Sequence, residues 1–233
     1  MVLSEPEPLF LVQVVIGSIS RRVRGEEMDW VTQEVFGFKV EIKEIRRPDG
    51  QDYLPTLATG VGVLHTTEIP SVEETWHLLN DKYSPPHFIT GESRIIQCRP
   101  LGAQGAALRT NAPHAPNAEA QVQIEQVAFS RRSPWLPDLP TLRPTVALMA
   151  YCSTTLGIPL RAPNNWPDNW SSVPEPWDAD NQRRQLAAAG LWPTEKGWWT
   201  HMEVPWQEPT WHWDCGAIKR SEMLAMAAAL LVT

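Results

Sequence analysis

The 233-residue sequence has no run of lysine or arginine, no C-x-x-C and no H-E-x-x-H, and it contains only three cysteines. With no basic run and a formal net charge of −7, neither nucleic acid nor an anionic membrane surface is an expected partner. Cys98, Cys152 and Cys215 form no even-numbered framework, so they read as reduced thiols and not as a disulfide scaffold. Long apolar runs are missing too. LFLVQVVIGSI near the start and MLAMAAALLV near the end both fall short of the roughly 20 residues a membrane-spanning helix needs. The first 22 residues carry acids where a secretory signal needs basic residues, which predicts synthesis in the cytoplasm without a signal peptide.

The length and apolar fraction are enough for one large domain with a modest extension. Residues 1–56 read as a β-rich N-terminal extension that pairs with a sheet or docks a partner, and residues 57–233 as the main domain. In the extension, FKVEIKEI alternates apolar and charged side chains, and Arg47-Pro48-Asp49-Gly50 signals a turn. VGVL, ending at His65, is a short apolar run suited to a buried strand. SVEETWHLLNDKY predicts a capped helix with Trp76, Leu78, Leu79 and Tyr83 on its apolar face.

HFIT and RIIQC, joined by Gly91-Glu92-Ser93, predict a hairpin, and QVQIEQVAF a central strand. TVALMAYCSTTLG predicts a helix stopped by Gly157. Residues 162–178 are crowded with proline and lack a period, so they read as a long ordered loop. GWWTHMEV returns as a strand, and a closing helix starts at Ser221. Strands alternating with helices predict an α/β fold with one central sheet.

Three candidate metal ligands fall at the ends of separate segments: His65 after VGVL, His201 after GWWT, and Asp214 in PTWHWDCG. Two neutral imidazoles and a carboxylate suit Zn²⁺ and leave a fourth position for a water, whose pKa such a site lowers to about 7. Glu125, mid-strand in VQIEQV, is placed to shuttle a proton. On spacing alone each histidine could equally be a hydrogen-bonded core residue, and Glu125 a solvated residue on the polar face it shares with Gln121 and Gln123.

The order of LHTTE, SPPHFIT, RIIQC, VQIE, GWWTHMEVP and HWDCG resembles type-2 N-acetylmuramoyl-L-alanine amidases, which share their fold with peptidoglycan recognition proteins. The resemblance covers roughly residues 55–232 and looks closest to phage endolysin-like members. It implies a mixed central β-sheet flanked by helices, and zinc held by His65, His201 and Asp214 at one end of a substrate groove. It also implies Glu125 as the catalytic acid and base, and His212 where many members carry a lysine that stabilises the transition state.

Cys215 replaces the proline of the family's D-P-G, and other branches use a cysteine as third ligand. In an extended backbone His212 and Asp214 would share a side and Cys215 would face away, which favours Asp214. Nine of the twelve tryptophans lie between Trp166 and Trp213, where they serve mainly to hold down proline-rich loops. Trp206, Trp211 and Trp213 adjoin the proposed metal and are the candidates for contacting substrate, with His114 as a further groove residue.

The implied activity is zinc-dependent hydrolysis of the amide joining the lactyl group of N-acetylmuramic acid to L-alanine, with the glycan and stem peptide of peptidoglycan as partner. Without a signal, such an enzyme would reach the bacterial cell wall after release or delivery through a pore or injection device. The alternatives are a non-hydrolytic peptidoglycan-binding module, or a structural component of a phage-like particle docked through residues 1–56.

Overall fold

The computed structural model describes residues 30–44, 54–82, 84–108, 115–130, 137–163, 190–205, 214–215 and 218–232. Seven strands form one mixed sheet: β1 (Val31–Val35), β2 (Phe38–Glu44), β3 (Val61–Thr66), β4 (Phe88–Gly91), β5 (Arg94–Gln97), β6 (Val122–Gln126) and β7 (Gly197–Thr200). Their order across the sheet is β1-β2-β5-β4-β6-β3-β7. The helices are α1 (Val72–Asp81), the single turn α2 (Pro116–Glu119), α3 (Leu139–Leu156) and α4 (Arg220–Ala229), with a 3₁₀ turn at His201–Glu203. This is the mixed central sheet flanked by helices expected from the sequence. Among the described residues, no helix is long and apolar enough to cross a membrane.

Strands β4, β6, β3 and β7 run parallel to their neighbours, while β5 turns back antiparallel to β4. The β4–β5 turn carries Glu92 and Ser93 at φ +52° and +60°, the paired left-handed residues that suit a two-residue hairpin. At the far edge β2 pairs parallel to β5, so the hairpin of residues 31–44 continues the same sheet.

Alternation sorts side chains between two layers. Leu64, Ile124, Phe88, Ile95 and Trp198 join α3 and α4 in the larger core cluster. On the opposite face Val61, Val63 and Trp199 pack with Leu108 and Trp192, while Ile89 and Ile96 pack with Val72 and Trp76 of α1. Gly62 is required under Trp198, because a Cβ there would lie 2.6 Å from the indole ring.

Two expectations are corrected and one open alternative is decided. Helix α3 begins at Leu139, ahead of the predicted Thr145, despite prolines at 140 and 144. Asp138 caps it by accepting from Thr141 N at 3.0 Å, and Pro140 sits in the first turn, where no N–H is needed. Pro144 removes the helical donor to the Pro140 carbonyl, and Ser93 N supplies a replacement at 2.8 Å from the β4–β5 turn.

The open alternative concerned β6: its polar alternates are buried, so Glu125 is not the solvated residue of that reading. Gln123 is fully buried, with its amide bonded to Ala107 N and Asn117 Oδ1. Third, α1 turns Val72, Thr75 and Trp76 inward but leaves Leu78 exposed along a groove, and Tyr83 lies outside the described residues.

Candidate metal centre

The site sits where parallel strands end, the edge of an open sheet at which side chains converge on one crevice. His65 is the fifth of six residues in β3, and Glu125, its direct partner in β6, rises from the same face. His201 follows β7 immediately, at the start of the 3₁₀ turn. Asp214 belongs to a separate turn, tied to the first where Met202 N donates to its carbonyl at 2.8 Å.

These elements bring three donor atoms together. His65 Nδ1 and His201 Nδ1 are 3.0 Å apart, and Asp214 Oδ2 lies 3.1 Å from His201 Nδ1 and 3.7 Å from His65 Nδ1. Zinc bonded to nitrogen and oxygen at about 2.0–2.2 Å in a tetrahedron sets its ligands about 3.4 Å from one another. The observed triangle straddles that value, so the donor set is spaced to hold one divalent cation. Both Nδ1 atoms must be bare to ligate, which puts each ring's proton on Nε2.

The imidazoles are buried, while Asp214 is partly accessible, so the triangle opens on one side only. That side is a groove of about 430 Å³, lined by Glu125 and, farther along, by Thr67, Leu78, Leu79, Lys82 and Leu108. Glu125 Oε1 lies 3.7 Å from His65 Nδ1, next to the triangle and outside the ligand group. Burial above all, and then the negative charges of Asp214 and Glu68, push its carboxyl well above the usual range. A dication beside it favours the ionised form, so the carboxyl is placed to exchange a proton.

Glu68, in the quoted LHTTE, lines the same groove and was not singled out from sequence. Its Oε1 accepts from Thr66 Oγ1 at 2.8 Å, Ser130 N at 2.8 Å and Ser130 Oγ at 2.6 Å. A lone glutamate after two threonines carries no signal for this, since Ser130 is 62 positions away.

Cys215 is buried and belongs to the larger core cluster, not to the ligand group. The expected pleat is absent there: Asp214 and Cys215 occupy a turn, so alternation along a strand is not what separates them. His87 stays outside the site, donating from Nε2 to Ala103 O at 2.8 Å and accepting at Nδ1 from Gln123 N at 3.0 Å. His77 is exposed on α1. His212, Trp206, Trp211, Trp213 and His114 lie outside the described residues.

No family model and no curated protein matches the chain. Among solved structures it is similar to the Staphylococcus aureus hydrolase AmiA, solved in complex with its ligand. The overlap covers 98% of this chain and 95% of that one, at 10% identity and a TM-score of 0.49. So loose an overlap carries nothing about the site, which stands on its own geometry.

Proposed function

We propose that this chain is a zinc-dependent amidase of peptidoglycan, cutting the bond between the lactyl group of N-acetylmuramic acid and L-alanine. One observation carries the reading. A metal-sized triangle of His65, His201 and Asp214 opens on a groove beside a buried carboxylate that is not itself part of the ligand group. The order of the sequence motifs supplies the substrate class.

When bound, zinc supplies Lewis-acid polarisation of the scissile carbonyl and acidifies water. His65 and His201 would hold it through Nδ1, and Asp214 through Oδ2. Glu125 takes the proton of the attacking water and returns it to the leaving nitrogen of L-alanine. Leu78, Leu79 and Leu108 give the groove an apolar wall, which limits water around the bound chain. His212 is assigned as donor to the developing oxyanion, as the resemblance implies, and Trp206, Trp211, Trp213 and His114 as substrate contacts. The protein acts at the bacterial cell wall after release or delivery, and residues 1–56 are the segment through which a carrier particle would hold it.

The test is release of free L-alanine N-termini from purified peptidoglycan by wild type and by His65→Ala. Wild type should release them and the variant should not. Zinc-loaded wild type that binds peptidoglycan but releases nothing would identify a recognition module instead.

A further inference from the structure

The 3₁₀ turn that carries His201 also carries Glu203, whose side chain is fully buried. Its Oε2 accepts from Thr200 N at 2.8 Å and from Arg220 Nη1 at 2.5 Å. Arg220, at the start of α4 and 1% exposed, also donates to Trp198 O of β7 at 3.2 Å. Arg220 lies six positions after Asp214, and bonds from Ile218 N to Cys215 O and from Arg220 N to Ile218 O tie it back to the turn of Asp214 and Cys215. One ion pair therefore links the His201 turn towards the Asp214 turn. Met202 N to Asp214 O is a second tie between the same two segments.

A buried ion pair is weak evidence for stability, because apolar residues of similar volume often serve the fold equally well. What it supplies is geometry: a buried guanidinium whose Nη1 bonds two acceptors on different segments leaves those segments little freedom. We propose that Glu203 and Arg220 form a clamp that sets the separation of His201 and Asp214, and so preorganises the metal centre. They are positioning residues, and the inference rests on the metal reading above. A ligand set held at nearly the required spacing before the ion arrives binds it more tightly than one that must first be ordered.

The test is the zinc dissociation constant of the full chain, measured by competition with a chromophoric chelator, together with the visible spectrum of the cobalt-substituted protein. Glu203→Gln should weaken zinc by about 10–100-fold and alter the cobalt bands. Arg220→Lys, which keeps the charge but loses the planar guanidinium, should fall between wild type and Arg220→Met. The double substitution Glu203→Leu with Arg220→Met removes both buried charges, which protects folding if either single variant fails. It should melt near wild type yet bind zinc at least tenfold more weakly. Arg94→Met, which removes the partly exposed pair with Glu41 and the contact with the Trp30 ring, should leave zinc affinity unchanged.

Folded Glu203 and Arg220 variants that hold zinc within twofold of wild type would overturn the clamp while leaving the metal reading intact. Wild type with no zinc affinity would overturn both.

Discussion

His65 and Glu125 are direct partners across the β3–β6 ladder, and their side chains stand on one face with Nδ1 3.7 Å from Oε1. In the proposed mechanism one strand would deliver a metal ligand and its neighbour a proton carrier, at the same height in the sheet. The division of labour predicts that Glu125→Gln keeps its zinc while hydrolysis falls by about a hundred- to ten-thousand-fold. Elemental analysis alongside the release of L-alanine N-termini checks this. Zinc lost together with activity would make Glu125 a ligand.

Cys215 and Asp214 are adjacent, yet only the carboxylate joins the ligand triangle. Cys215→Ala should therefore retain one zinc per chain after dialysis, at a cost of about 1 kcal/mol in stability, the scale of one buried methyl-sized group. Asp214→Ala should lose the metal. Retention by the second variant and loss by the first would reverse the assignment.

Zinc should also stabilise the fold. An ion present at about 100 times its dissociation constant adds about 2.7 kcal/mol to a protein that binds it only when folded. For a domain of this size, that raises the melting temperature by about 5–11 °C. Calorimetry with zinc or with chelator should show the difference in wild type and none in His65→Ala.

His87 gives the fold a dependence on acid separate from the metal. Buried between a carbonyl acceptor and a backbone N–H donor, its ring has room for one proton only, and desolvation lowers its pKa to about 4. The unfolded chain binds that proton near pH 6.5, so stability is full above this value and declines as pH falls towards 4. The loss reaches about 3 kcal/mol. Urea unfolding of the metal-free protein between pH 7 and 4 should show the slope, and His87→Asn should flatten it.

The sheet was legible where the period was clean. VGVL, HFIT and RIIQC are short apolar runs between turn residues, and each is a strand. Helix α3 was legible only in part, because Pro144 argues for a break until Ser93, 51 positions earlier, is seen satisfying the freed carbonyl. The burial of Gln123 was not legible because its partners, Ala107 in a loop and Asn117 in the single-turn α2, come from other segments. The three ligand candidates could be picked out as strand-end polar residues, but their spacing could not. It depends on two turns that only tertiary contacts bring together. Glu203 and Arg220 drew no notice in the sequence, since nothing at a separation of 17 residues reports that both are buried.

The most direct measurement is anomalous diffraction at the zinc edge on crystals of the zinc-loaded chain. The account predicts one ion within about 2.0–2.2 Å of His65 Nδ1, His201 Nδ1 and Asp214 Oδ2. An ion bound through Cys215 Sγ, an ion elsewhere in the molecule, or no ion at saturating zinc would contradict it.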